Sequence, residues 1–297
     1  MSHFQTLDVF TEQPFGGNPL AVFTDARSIP ENSYQSIARE MNLSETVFVL
    51  PPDDPQCKYR FRIFTPVREL DFAGHPVVGS ACALAAEQTQ EQISFKVQLN
   101  AGITTIDLAR KGHFWKARFQ VPRLPESGPA APSVEILEKA LGLKSGDIHL
   151  GTSPIAFSCG APILFLELAS RDALSRCKID LSLYEMHLAN YWAPEVMPFV
   201  IEGQEIHCRM FAPALGIPED PATGGAAAAI TGFLIHKFHH ELPQEGDWPW
   251  RIHQGYEMGR PSLIELTMNM KQGKLNGIQI AGHSVPMSRG QILAFDS

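Results

Sequence analysis

Short runs of alternating apolar and polar positions recur along this chain, separated by turn residues and by a few stretches of helical spacing. FQTLDVF (4–10) and LAVFTD (20–25) flank a Gly-Gly-Asn-Pro turn and predict a first hairpin. Pro30 and Glu31 open a short helix through Met41, and after Asn42-Leu43-Ser44 comes the strand-like run TVFVL. Glu45 therefore falls where a loop enters a strand. YRFRIFTP (59–66) alternates with period two; a helix at about 77–88 and strands over 93–99, 103–109 and 114–121 complete one sheet around one helix.

VPRLPESGPAAPS (121–133) is the stretch richest in Pro, Gly and Ser, and the helical pattern SVEILEKALGL follows it. A domain boundary belongs there, giving a first domain over 1–122, joined by the 286–297 tail, and a second over 123–285. The second half repeats the style of the first: strands near 155–169, helices near 171–190, strands near 196–211, a helix from about 224 and three closing strands. Each half holds one helix that is apolar almost all round, ACALAA after GHPVVGS and AAAAITGFLI after PATGG. Such a helix must be buried on every face. The spacing of the two by about half the chain suggests an internal duplication, two sheets each rolled around a central helix.

The chain is long enough for two cores, with 297 residues, 44% of them hydrophobic and 19% charged. A net charge of −8 without a basic block speaks against nucleic acid or an anionic membrane as partner. No apolar run is long enough to span a bilayer and the N-terminus lacks a leader pattern, so the expected location is the cytoplasm. The five cysteines are scattered, with no C-x-x-C pair, and read as reduced, buried thiols.

Both apolar helices begin at glycine-rich turns, Ala73-Gly74-His75-Pro76 and Asp220-Pro221-Ala222-Thr223-Gly224-Gly225. Unpaired N–H groups and the positive end of a helix dipole favour an anion there, and two such turns facing one cleft would hold a carboxylate. Three titratable groups lie in or beside these turns: Glu45, His75 and Asp220. A carboxylic acid and an imidazole in a cleft poor in water can pass protons. Each also has a plain structural role open to it: surface or capping carboxylate for Glu45, turn histidine for His75, N-cap for Asp220. HKFHHE (236–241) reads as the polar end of a helix and not as a metal site. Dinucleotide, Walker and nucleophile-elbow signatures are absent, which leaves acid/base work on a bound anion.

GGNPLAVF (16–23), NLSETVFV (42–49), RIFTPVRELDFAGHPVVGSA (62–81) and EDPATGGAA (219–227) together resemble the signature blocks of the PhzF-like proteins of phenazine biosynthesis, in family order and nearly end to end. The resemblance implies a diaminopimelate-epimerase-like α/β (α+β) fold, with two similar domains that are each a curved, mostly antiparallel sheet around a central helix. It implies a homodimer without metal or organic cofactor, acting as an isomerase on a small carboxylate-bearing substrate. The family's proton-carrying glutamate maps onto Glu45, its histidine onto His75 and its aspartate onto Asp220. Asn18, Ala73, Gly74, Thr223, Gly224 and Gly225 are the implied substrate-binding positions. The two opposed cysteines of the related epimerases are replaced by Ala73 and Thr223, which disfavours a two-thiol epimerase or racemase. The serine that follows Thr-Gly in the phenazine enzyme is Gly225 here, so a hydroxyl donor to substrate is lost. A two-base epimerase and a silent binding protein of the same fold remain the alternative readings.

Overall fold

The computed structural model describes residues 2–86, 88–112, 114–149 and 151–295. Glu87, in the first predicted central helix, and Asp296 and Ser297, in the predicted tail, lie outside them. The first half runs β1 (Ser2–Val9), β2 (Asn18–Phe23), α1 (Tyr34–Met41), β3 (Glu45–Leu50), β4 (Tyr59–Phe64), β5 (Glu69–Leu70), α2 (Gly74–Ala85), β6 (Gln92–Leu99), β7 (Gly102–Lys111) and β8 (Phe114–Gln120). The second half runs β9 (Glu126–Ser127), α3 (Val134–Ala140), β10 (Ile155–Ser158), β11 (Pro162–Glu167), α4 (Arg171–Arg176), α5 (Leu181–His187), β12 (Glu195–Glu202), β13 (Glu205–Cys208), α6 (Gly224–Lys237), β14 (Glu245–Gln254), β15 (Ser262–Lys271) and β16 (Lys274–Ile292).

The pairing repeats. In the first half β1–β2 is antiparallel, β2–β3 parallel, β3–β4 antiparallel and β4–β6 parallel, followed by antiparallel β6–β7–β8. In the second half β10–β11 is antiparallel, β11–β12 parallel, β12–β13 antiparallel and β13–β14 parallel, followed by antiparallel β14–β15–β16. The predicted duplication is therefore present in topology, with α2 and α6 in equivalent places. β16 is shared: Lys274 to Ala281 pair with β15, Gln279 to Ser284 with β8, and Ser284 to Ile292 with β1. That last pairing closes the first half into a ring of strands around α2.

Period-two alternation decides which side chains meet the central helices. On β3, Val47 and Val49 join the core around α2, whereas Phe48 packs outward with Phe23, Phe64 and Tyr34 beneath α1. On β12, Met197 and Phe199 face α6, whereas Val196 and Val200 join an outer core with Leu164, Leu166 and Tyr184 under α3 to α5. Both faces of these strands are buried, which is why they read as continuous apolar runs. α2 and α6 are built largely of Ala, Gly and Val, and small side chains let the sheets close tightly on them.

α2 starts three residues earlier than the alternation alone predicts. Ala73 is extended, with φ −151° and ψ 136°, and Gly74-His75-Pro76 already form the first turn. Pro76 is tolerated there because a first-turn N–H has no intrahelical acceptor to lose. α1 ends on Asn42 in the left-handed conformation (φ 50°), which turns the chain into β3 within three residues. α6 ends at Lys237, so His239 and His240 lie past it, as the polar end of a helix should. No helix among the described residues is long and apolar enough to cross a membrane.

A Cβ on Gly232 of α6 would lie 2.4–2.8 Å from ring atoms of Phe157. Gly232→Ala should therefore destabilise the protein by about 1–3 kcal/mol in denaturant unfolding. The same change at Gly225, where nothing lies within 4 Å, should be neutral or slightly stabilising. All five cysteines are buried, and burial raises their thiol pKa values, to about 12 for Cys82, Cys159 and Cys177. The native protein should accordingly resist thiol-specific reagents that titrate all five thiols after denaturation.

Candidate functional site

Three polar side chains occupy the first inward positions of strands in the otherwise apolar wall. Asn18 is in phase with Leu20 and Val22 on β2, and Glu45 is in phase with Val47 and Val49 on β3. Leu20 pairs with Glu45 in parallel register, so both strands deliver their leading polar residue to the same end of α2. The third is Glu195, at the head of β12 and in phase with Met197 and Phe199. It is the topological counterpart of Glu45, and sequence reading missed it because GLU-VAL-MET-PRO carries no motif.

The glycine-rich turns abut. A Cβ on Gly74 would lie 2.7 Å from the Gly224 Cα, and one on Gly224 would lie 2.8 Å from the Gly74 Cα. Only glycine at both positions permits this approach. Ala73 and Thr223 are the N-caps of α2 and α6, and neither helix has a side-chain capping bond. Asp220 is thus not the cap of α6 that its spacing allows. The N–H groups of Gly74, His75, Gly224 and Gly225 find no acceptor among the described residues, so two positive helix ends converge on one place.

Asn18 links the halves. Its Nδ2 donates to Asp220 Oδ1 at 2.8 Å and to the Ala222 carbonyl at 2.9 Å, and two acceptors fix the orientation of the amide. His75 Nδ1 lies 3.3 Å from that same NH₂ group and so carries no proton. The imidazole proton must then sit on Nε2, the atom 3.2 Å from Glu45 Oε2. That pair is within range but out of line for a hydrogen bond, and neither atom has another partner among the described residues. Asn18 Oδ1 is likewise buried and unpartnered. Unpartnered buried polar atoms grouped beside free N–H groups are what a ligand would satisfy.

Burial sets the protonation states. It is the largest cause raising Glu45 well above the usual carboxylate range, with the charges of Asp220 and Glu195 adding to it. Burial lowers His75 to about 3, so the imidazole is neutral. Asp220 is pushed up to about 6 by burial, against hydrogen bonds from Thr223, Asn18 and Ser44 that favour its ionised form. Glu195 is raised to about 7, again chiefly by burial, with Arg68 lowering it and Asp220 raising it.

Further side chains hold the geometry. Gln254, at the last inward position of β14, accepts from Thr223 N at 3.0 Å and donates to the Asp220 carbonyl at 2.6 Å and to Thr223 Oγ1 at 3.0 Å. Thr223 Oγ1 in turn donates to Asp220 Oδ2 at 2.5 Å. Arg260, from the loop before β15, donates to Asp8 Oδ1 at 2.5 Å and to the carbonyls of Gly16 and Gly17 at 2.6 and 2.8 Å, pinning the turn that leads to Asn18. Gln254 and Arg260 carried no sequence signal, since their partners are distant in the chain. Gly225 projects toward open space. Among the described residues the group with metal-ligand character is Glu205, His207 and His253, not the predicted helix-end histidines. It lies on the outer face of β13 and β14, where the His207 and His253 rings stack at 4.6 Å and His253 Nε2 lies 3.0 Å from Glu205 Oε2.

Comparison with known proteins agrees with this architecture. The family model described as phenazine biosynthesis-like protein matches residues 7–290. An isomerase of Mesorhizobium japonicum is 39% identical over 96% of this chain and 96% of its own length. The trans-2,3-dihydro-3-hydroxyanthranilate isomerase of Pseudomonas fluorescens is 36% identical over 99% of this chain and 100% of its own. The crystal structure of a phenazine biosynthesis protein of the PhzF family from Bacillus anthracis superposes with a TM-score of 0.87, covering 98% of each chain at 24% identity. A family match over nearly the whole chain, whole-length relatives that are isomerases, and a shared duplicated fold show that this chain belongs to the PhzF-like family of isomerases.

Proposed function

We propose that the chain is a cofactor-independent isomerase that shifts a proton within a small carboxylate-bearing substrate, with Glu45 as the proton carrier. The observation that carries this reading is the pairing of a buried, strongly raised carboxyl with a neutral imidazole beside two uncapped, abutting helix starts. The substrate carboxylate is held by the N–H groups of Gly74, His75, Gly224 and Gly225. Glu45 takes a proton from one carbon and returns it to another position of the same molecule, which requires a group stable in both protonation states near neutral pH. Neutral His75 holds its Nε2 proton toward Glu45 and favours the carboxylate form as it appears. Asp220 and Asn18 keep His75 in that tautomer and the two halves in register.

The relatives named for trans-2,3-dihydro-3-hydroxyanthranilate make that compound the first to test. Gly225 leaves room in this site, so a substrate bulkier at that point also fits. The family likeness further supports a homodimer at work in the cytoplasm. Incubation of substrate in D₂O decides between an isomerase and a binding protein: exchange of carbon-bound hydrogen supports the first, and ligand binding without exchange supports the second.

Glu45→Gln keeps size and fold but removes the titration, so solvent-hydrogen exchange into substrate should fall by at least about 10³-fold while ligand binding persists. Exchange near the wild-type rate would transfer the role to His75 or Asp220. The same variant should be the more stable protein at alkaline pH. The folded-state pKa of Glu45 lies above its ordinary value of 4.5, so the folded protein binds the extra proton and loses stability as pH rises between the two values. Gln removes that loss, and denaturant unfolding should show Glu45→Gln ahead of wild type at pH 8, with the gap closing toward pH 4. Gly225→Ser meets no atom within 4 Å and should fold normally. It should change substrate preference, read as kcat/KM across a panel of carboxylates, by about tenfold, the worth of one well-placed hydrogen bond.

A further inference from the structure

The outer face of the second half carries imidazole and carboxylate groups that the proton shift does not use. Ile206 and Cys208 on β13, and Trp250 and Ile252 on β14, join the core around the central helices. The alternate residues Glu205, His207, Arg251 and His253 therefore face outward. β13 and β14 are parallel, with Glu205 opposite Arg251 and His207 opposite His253. Register thus sets the two imidazoles side by side, and their rings stack at 4.6 Å with 14° between their planes. Glu205, two residues before His207 on the same face, completes the group: one donor atom from each of the three side chains lies within 4.8 Å of the other two.

Two observations point to a ligand there. The His207 side chain is only 13% exposed, yet it makes no hydrogen bond among the described residues: Nδ1 is buried without a partner and Nε2 stands 3.5 Å from Glu202 Oε2. A nearly buried imidazole ordinarily has its nitrogens satisfied. His253 has Tyr256 Oη 3.3 Å from Nδ1 and Glu205 Oε2 3.0 Å from Nε2. A proton on Nδ1, given to the tyrosine oxygen, leaves the Nε2 lone pair facing a carboxylate with nothing positive between them. A divalent cation there satisfies both, while the bond to Tyr256 holds the ring as outer partners of metal-bound histidines do. With the proton on Nε2 instead, the pair is an ordinary hydrogen bond and His207 stays unsatisfied. The neighbouring cations leave the place open: Arg251 engages Glu205 through Oε1, at 3.4 Å, and Arg171 lies 3.5 Å from Glu202.

We propose that Glu205, His207 and His253 bind one divalent ion of the zinc class, which clips β13 to β14 on the outer face of the second half. Two imidazole nitrogens and one carboxylate oxygen suit such an ion, which bonds each at about 2.0–2.2 Å and keeps a fourth position for water. Tetrahedral ligands at those lengths are roughly 3–3.5 Å apart, so the three side chains have only to draw inward. The clipped strands share three registered pairs. The residue after His253 is Gln254, whose amide holds the turn of Asp220 and Thr223. His253 and Gln254 point to opposite faces of β14, so the ion steadies the strand that positions this turn and takes no part in the proton shift.

Calorimetric titration of the untagged, chelator-treated full-length protein with ZnCl₂ tests the proposal. Wild type should bind one Zn²⁺ per chain with a Kd of about 10 μM or below. Its thermal midpoint should rise by at least about 3 °C in a hundredfold excess over that Kd. His207→Ala, His253→Ala and Glu205→Gln should each weaken binding by at least about tenfold, the least that even outer partners of metal ligands contribute. Glu205 is 40% exposed, so its glutamine variant keeps the test readable if a histidine variant does not fold. The double change His236→Ala/His240→Ala, around the end of α6, should bind as wild type does. Weaker binding by wild type, a smaller loss in any of the three variants, or loss in the double variant overturns the site.

Discussion

The contact between Gly74 and Gly224 is the constraint on which the rest of the molecule turns. Two helices that are apolar on all sides have to be wrapped by sheet, and two wrapped helices can meet only at their ends. They meet here through their N-termini, with the Cα of each glycine where a side chain of the other would be. That arrangement puts two positive dipole ends and several free N–H groups in one place. Like ends repel unless something negative joins them, and carboxyls surround that spot: Glu45 at the head of β3 in one half, and Glu195 at the head of β12 with Asp220 in the turn before α6 in the other.

Those carboxyls are held at a cost in stability. Each sits where burial favours its neutral form, and Asp220 makes ionisation harder at both Glu45 and Glu195. A protein selected for stability alone would fill these inward strand positions with valine, as it does two residues further along β3. The Asn18 amide ties the site together: it bonds Asp220 and Ala222 across the halves and places its NH₂ group 3.3 Å from His75 Nδ1. His75, neutral because it is buried, lies with Nε2 3.2 Å from Glu45 Oε2, so the two groups that the proposed function joins already stand side by side. Gln254 and Arg260 serve the same end from a distance by holding the backbone turns that carry Asp220 and Asn18.

The duplication explains why the site is asymmetric in chemistry and symmetric in frame. The strand order, parallel and antiparallel in the same sequence of pairings, is common to both halves, yet Glu45 has His75 beside it and Glu195 has an open cavity. One position of a repeated frame holds the proton carrier of the reading above, and the equivalent position faces a cavity between the halves. The shared strand β16 binds both halves into one unit by pairing with β15, β8 and β1 in turn. The equivalent positions therefore cannot drift apart without breaking a continuous ladder.

Local physics made much of this legible from the sequence. Period-two runs, two helices without a polar face and glycine-rich turns before each of them fix the strands, the central helices and the duplicated plan, because these depend on residues close together in the chain. Glu45, His75 and Asp220 stand out for the same reason, each lying in or beside such a turn. The tertiary structure alone decided that Gly74 and Gly224 touch and that Asn18 reaches Asp220, since each depends on groups brought together from opposite halves. Glu195 belongs with these. Its sequence neighbours are those of an ordinary strand, and only the folding of β12 against β11 turns that carboxyl inward beside two others, where burial and mutual repulsion change its chemistry.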